Sequence, residues 1–162
     1  MKKINVTLIC AEAEEYPGCA DLLYSYPEVN VVGLPTRLAG GSAGRALAQT
    51  DVLVVDESVL MRDGLETVRS VHTSFPGLSI LLVYEKQHKN IEMEYLAIGV
   101  RGLLERRLRI SLLRRAIPAL YAGEIWMPRG LVQTLRSQST INADSSSWET
   151  HPSMMPDRGK IN

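Results

Sequence analysis

Short runs of apolar and β-branched residues recur along the chain and alternate with stretches of helical pattern. Five of these runs have the length and composition of buried strands: Ile4–Cys10, Val29–Gly33, Val52–Asp56, Leu78–Tyr84 and Val100–Leu104. Near-continuous apolar strands that alternate with helices are typical of a parallel sheet covered on both faces. The pattern therefore predicts a doubly wound α/β domain with five strands.

The segments between the strands predict five helices, over Cys19–Ser25, Arg45–Gln49, Gly64–Thr73, Asn90–Ile98 and Ser111–Ala122. Gly99 is placed to cap the fourth helix at its carboxyl end. Ser111 is placed to cap the last helix, and Pro118 inside it predicts a kink or an irregularity. The remaining connections, Leu34–Gly44 and the stretch from Asp56 to Asp63, are predicted as loops.

The carboxyl end of the chain has a different character. The segment from Ser137 onward is rich in serine, contains Pro152 and Pro156, and lacks apolar periodicity, which is typical of linkers. We therefore divide the chain into a domain over residues 1–124, a helical extension over 125–138 and a flexible linker over 139–162.

Composition and charge exclude several classes of protein. Lys plus Arg and Asp plus Glu are 18 each, so the chain lacks the basic excess that grips a nucleic-acid backbone. Cys10 and Cys19 form neither a disulfide framework nor a zinc motif. No run reaches the ~18 apolar residues of a membrane span, and the amino terminus does not fit a signal peptide. These features predict a soluble cytoplasmic protein that is not bound to a membrane.

The first candidate for chemistry is Asp56, an acid that directly follows the apolar run Val52–Val55. Ligands bind to open α/β sheets at the carboxyl ends of the strands. We therefore expect the Asp56 carboxylate to lie at the edge where such a domain carries its functional site.

Three motifs give the chain a family resemblance. They are Asp51–Asp56 followed by Asp63-Gly64-Leu65-Glu66, then Gly99-Val100-Arg101-Gly102-Leu103-Leu104, and then Ala122-Gly123-Glu124-Ile125-Trp126-Met127-Pro128-Arg129. In this order the chain resembles the receiver domain of NarL/FixJ (LuxR-type) response regulators. The resemblance implies a CheY-like (flavodoxin-like) five-stranded parallel sheet with helices on both faces. It also implies a regulatory domain of a two-component phosphorelay, and not an enzyme.

The same resemblance implies a phosphorylation site, most of which this sequence has lost. Asp56 falls at the phospho-acceptor position of the family. Cys10 and Ala11 replace the family's acidic pair, and Glu12 lies one residue too late. Tyr84 replaces the Thr or Ser, Leu103 the aromatic residue and Arg106 the Lys. A single carboxylate binds Mg²⁺ weakly, so we expect Mg²⁺ binding to be weak or absent and no cofactor or metal site. An Arg at position 106 is able to pair with Asp56. We therefore predict a degenerate receiver that acts without the usual phosphorylation.

Two alternatives remain open on the sequence. One is a working phospho-acceptor, served by a histidine kinase that these residues do not identify. The other is a second-messenger sensor, since Trp126 and Arg129 resemble the cyclic di-GMP motif of some LuxR-type regulators. Pro128 replaces the hydroxyl residue of that motif, and Trp126 is equally suited to pack the last helix onto the sheet.

The resemblance also implies partners. In receivers the later helices and the last strand form a dimer face, so we predict a homodimer through Arg101, Arg114, Ile117 and Tyr121. In the family a linker leads to a helix-turn-helix module. We expect contact with DNA only through such a carboxyl-terminal domain, which is absent from this chain, and a regulatory role in transcription.

Overall fold

The structure is a computed structural model and describes residues 2–10, 17–85, 91–106 and 110–137. Five strands, β1 (Ile4–Ile9), β2 (Val29–Gly33), β3 (Val52–Asp56), β4 (Ser79–Tyr84) and β5 (Gly102–Glu105), form one sheet in the order β2-β1-β3-β4-β5. Every neighbouring pair is parallel. The strands therefore end at a common edge, and the predicted doubly wound sheet is confirmed.

Helices connect the strands. They are α1 (Pro17–Ser25), α2 (Gly41–Leu47), α3 (Glu57–Asp63), α4 (Leu65–Ser74), α5 (Ile91–Ala97) and α6 (Leu113–Tyr121), and a 3₁₀ turn, Ile110–Leu112, precedes α6. A further helix, α7, covers residues 129–137.

The stretch after Asp56 was predicted to be a loop, and that prediction is wrong. It forms α3, because the Asp56 side chain caps the helix by accepting a hydrogen bond from the backbone N–H of Ser58. The helix ends at Gly64, whose φ of 88° favours glycine. Asp56 therefore starts a helix as well as ending a strand.

Other predicted boundaries also need correction. The helix predicted over Arg45–Gln49 begins earlier, at Gly41, because Ala43 and Leu47 place one of its faces in the core. Ser111 caps no helix: it lies in the 3₁₀ turn, and the capping position of α6 is Leu112, without a side-chain bond. The helix α6 runs through Pro118.

The core lies on both faces of the central strand β3. Val52 and Val54 join a cluster with residues of β1, α1 and α6, including Val6, Leu23 and Ile117. Leu53 and Val55 point to the opposite face and are also fully buried. Because both of its faces are buried and both of its edges are paired, β3 places Asp56 at a rigid position.

Beyond α6 the chain returns to the sheet. The N–H of Leu103 donates to the carbonyl of Trp126 over 2.8 Å, and the N–H of Trp126 donates to the carbonyl of Arg101 over 3.1 Å. Trp126 thus pairs in parallel with β5 at Gly102. Residues 1–126 form one compact unit, and residues 127–162 form a second, in which α7 lies. The predicted linker, residues 139–162, lies outside the described residues.

Candidate functional site at the carboxyl edge of the sheet

Asp56 lies at the carboxyl end of β3, with its side chain only 3% exposed. Its Oδ1 atom accepts hydrogen bonds from the N–H of Ser58 over 2.9 Å and from the Ser58 hydroxyl over 2.5 Å. A buried carboxylate needs such donors, because burial without them is costly. The helix cap therefore fixes one of the two oxygens of Asp56.

The other oxygen, Oδ2, is in contact with Nη2 of Arg106, directly after β5. The second terminal nitrogen, Nη1, donates to Oε1 of Glu85 over 2.9 Å. The guanidinium thus bridges two carboxylates. Since the Arg106 side chain is 16% exposed, the ion pair is largely shielded from water.

Tyr84 ends β4 and is fully buried. Its hydroxyl donates to Oε1 of Glu92 over 3.1 Å, in the first turn of α5. A phenol ring of this size fills space beside Asp56's strand where the family has a small hydroxyl side chain. The resemblance implies that the residue at this position contacts a phosphoryl group. In this chain the residue is Tyr84, and its hydroxyl is bonded to Glu92 of α5.

A second hydrogen bond between a hydroxyl and a carboxylate joins Tyr95 of α5 to Glu57, the residue after Asp56. The Tyr95 hydroxyl donates to Oε1 of Glu57 over 3.0 Å, and the backbone N–H of Glu85 donates to its Oε2 over 3.3 Å. Burial, and after it the nearby Glu57 charge, raise the pKa of Tyr95 well above its usual range. The phenol therefore stays protonated and remains a donor.

The remaining residues of the predicted pocket are spread differently. Cys10 is half-buried and packs against the core cluster, whereas Ala11 and Glu12 lie outside the described residues. Leu103 is buried within β5. Within the described part of the chain, no three His, Cys, Asp or Glu side chains converge in a way that would hold a metal ion.

The two residues of the suggested nucleotide motif lie in different units. Trp126 is half-buried in the first unit, where it packs against the core cluster and pairs with β5. Arg129 is exposed at the start of α7 in the second unit. The ring of Trp126 is thus already engaged in packing.

The residues predicted for a dimer face also differ in their surroundings. Arg101 is exposed, and Tyr121 is 44% exposed. Arg114 pairs with Glu28 over 3.2 Å and lies 5.7 Å from the ring centre of Tyr26. Ile117 is 0% exposed in the core, so it is not available to a partner, and we remove it from the proposed face.

The sequence-based prediction missed several residues of the edge: Glu57, Ser58, Glu85, Glu92 and Tyr95. One signal was available, because an Asp two residues before a Ser at the start of an apolar-periodic run is typical of a helix cap. The contacts of Glu57, Glu85, Glu92 and Tyr95 are made across different elements, and no local sequence pattern predicts them.

No helix in the described part of the chain is both long and apolar enough to cross a membrane.

Comparison with family models gives no match. A sequence relative is the DNA-binding transcriptional activator DevR/DosR of Mycobacterium tuberculosis, with 27% identity over 106 residues. That alignment covers 65% of this chain and 49% of the relative, so the chain spans about half the length of the curated protein it matches.

Solved structures with the same fold include receiver domains. The isolated receiver domain of RcsB from Salmonella enterica serovar Typhimurium, in its apo form, matches with a TM-score of 0.71 at 24% identity, covering 83% of this chain and 99% of that domain. The receiver domain of a response regulator NarL from Mycobacterium tuberculosis matches with a TM-score of 0.64 at 20% identity, covering 76% and 100%. RcsB has also been solved as dimers bound to DNA. The described part of the chain therefore has the fold of these receiver domains, and the proteins to which it is similar include response regulators.

Proposed function

We propose that this chain is a regulatory pseudo-receiver, which acts without Mg²⁺-dependent phosphorylation of Asp56. The observation that carries the proposal is the contact between Nη2 of Arg106 and Oδ2 of Asp56. Ser58 donates to the other oxygen. Both oxygens of the carboxylate are thus engaged by protein groups, and the positive charge that a metal would supply comes from the chain itself.

Burial makes this arrangement hard to displace. A phosphodonor must reach an oxygen of Asp56, whose side chain is 3% exposed. Arg106 would have to leave first, and separating the buried ion pair leaves the Asp56 carboxylate without its counter-charge. Since Glu85 also holds the guanidinium, two bonds oppose that movement.

The neighbouring side chains are poorly suited to Mg²⁺. Mg²⁺ prefers carboxylate, phosphate and water oxygens in octahedral geometry. At the position of the family's acidic pair this chain carries the Cys10 thiol, which is a ligand for softer metals. Tyr84 adds bulk where a small hydroxyl would read the phosphoryl group.

We further propose that the domain works as a homodimer within a cytoplasmic, DNA-binding transcription regulator. Three observations support this. The relative DevR/DosR is a DNA-binding transcriptional activator about twice the length of the matched region, RcsB forms dimers on DNA, and α6 ends in an exposed Tyr121. DNA contact is assigned to a separate carboxyl-terminal domain, because the net charge of this chain is zero.

A titration with beryllofluoride and millimolar Mg²⁺, followed by backbone NMR, tests the central proposal. We expect the amides of residues 56–58 and 84–85 to keep their chemical shifts. The isolated receiver domain of RcsB, which has been solved with this phosphomimetic, is the positive control. Saturable shifts at Asp56 in the wild-type chain would overturn the proposal and restore a phospho-acceptor function.

A further inference from the structure

The helix α5 is positioned by its contacts. Its described part spans Ile91–Ala97, and most of the stability of a helix in a protein comes from tertiary packing. Two of its side chains bond to the carboxyl edge of the sheet: Glu92 accepts from Tyr84, and Tyr95 donates to Glu57. These bonds set where α5 lies.

The Tyr84–Glu92 bond is buried, and the Tyr95–Glu57 bond is partly buried. Tyr84 and Tyr95 are fully buried, and Glu92 is also buried. Removing a hydroxyl at such a site leaves a carboxylate without its donor, which costs more than the bond itself contributes. The two bonds therefore have a larger effect on α5 than exposed bonds of equal length.

Glu85 links these bonds to the Asp56–Arg106 pair. Its carboxylate accepts from Arg106, and its backbone N–H donates to Glu57, the partner of Tyr95. Ser58 and Arg106, which contact Asp56, lie outside α5. Contacts thus run continuously from Asp56 through Arg106, Glu85 and Glu57 to α5.

We propose that the bonds Tyr84–Glu92 and Tyr95–Glu57 form a latch that holds α5 against the sheet edge, and that the Asp56–Arg106 pair stabilises the latch through Glu85. The domain then keeps its α5 surface in one arrangement while the pair is intact, and an event that separates the pair loosens α5 selectively. This regulatory meaning rests on the pseudo-receiver proposal, whereas the latch itself is a property of the contacts.

Hydrogen–deuterium exchange of the full chain, read by mass spectrometry over residues 91–97, tests the latch. In Tyr84→Phe/Tyr95→Phe we expect α5 amides to exchange about tenfold faster, because local opening becomes easier. Amides of β1 and α6 should keep their wild-type rates. Tyr24→Phe removes the hydroxyl of an exposed tyrosine on α1 and is the matched control.

The link through Glu85 is tested by Arg106→Gln, for which we expect α5 amides to exchange about threefold faster. If α5 amides of the double variant exchange at the rates measured for Tyr24→Phe, the latch is contradicted. If those of Arg106→Gln do so, the link through Glu85 is contradicted. Where the double variant loses protection throughout, Tyr95→Phe alone decides by the same criterion. The exchange measurements need neither Mg²⁺ nor a phosphomimetic. Binding of beryllofluoride by the wild-type chain would therefore contradict the pseudo-receiver proposal without affecting the test of the latch.

Discussion

The guanidinium of Arg106 contacts the carboxylate of Asp56 across the carboxyl edge of the sheet, and joins the residue that ends β3 to the one that follows β5. In the sheet, β4 lies between β3 and β5. Arg106 therefore reaches across the end of β4, and its guanidinium also contacts Glu85, the residue that follows β4. Removing one partner of a buried ion pair is costly, because the other charge is left uncompensated, so the contribution of Arg106 is measurable by substitution.

Removal of the cation should destabilise the domain. For Arg106→Met we expect the free energy of unfolding to fall by about 3 kcal/mol, since a buried carboxylate then lacks its counter-charge. Urea unfolding followed by circular dichroism measures this. A loss below about 1 kcal/mol would contradict the prediction, because that is the range of exposed ion pairs.

The double variant Asp56→Asn/Arg106→Met is the control for that experiment. An amide keeps an oxygen that accepts from Ser58, so the helix cap survives while the unpaired charge is removed. The double variant should therefore be more stable than Arg106→Met alone. Equal stability of the two would show that the loss in the single variant comes from packing.

Two glycines with positive φ should respond differently to alanine. A Cβ at Gly99, where φ is 106°, would lie 2.5 Å from Cγ of His72, whereas a Cβ at Gly123, where φ is 88°, meets nothing within 4 Å. We expect a loss of about 3 kcal/mol for Gly99→Ala, from backbone strain and overpacking together, and about 1 kcal/mol for Gly123→Ala, from strain alone. Thermal unfolding of both variants measures the difference, and equal losses would contradict the predicted clash.

The pair Arg62–Asp63 should contribute stability that depends on pH. The hydrogen bond from Arg62, and after it the Arg62 charge, lower the pKa of Asp63 below its ordinary value of 3.8. The contribution is complete above that value and is lost as the pH falls through the lowered pKa of the folded state. Since the Arg62 side chain is 32% exposed, we expect it to be only about 0.5 kcal/mol.

Unfolding of Asp63→Asn between pH 7 and pH 3 measures that contribution. The difference from wild type should be constant at neutral pH and shrink below about pH 4. The same substitution in an Arg62→Gln background is the control. It should lose most of this pH dependence, and the rest comes from a backbone hydrogen bond with Leu38 and the charge of Arg37, which also lower the pKa of Asp63. A difference that grows on acidification would reverse the predicted sign.

The proposed dimer face is tested by Tyr121→Glu. A charge at this 44% exposed aromatic position should raise the dimer dissociation constant at least about tenfold, because a buried interface charge is costly. Sedimentation velocity over a range of concentrations measures it. Met61→Glu places the same charge at a 76% exposed residue of α3 and should leave the constant unchanged. Equal effects of the two variants, or a monomeric wild-type chain, would contradict the face.

The five strands could be predicted well from the sequence, because each is a short apolar run bounded by turn residues. Errors occurred where a side chain decides a local conformation. Asp56 was interpreted for its charge, and its role as the cap of α3 was missed. Ile117 was placed on the dimer face because the later helices form that face in the resembled family, but its packing in the core cluster buries it.

The sequence by itself determined the parallel sheet and the position of Asp56 at its carboxyl edge, because strand pattern and connection type follow from residues close together in the chain. It also provided the pairing of Asp56 with an arginine as a hypothesis. Only the tertiary structure decided that Arg106 is shared with Glu85, that Tyr84 bonds to Glu92 of α5, and that Tyr95 of α5 bonds to Glu57. Those contacts connect residues from different strands and helices, and their geometry is fixed by packing across the sheet, which no local sequence pattern encodes.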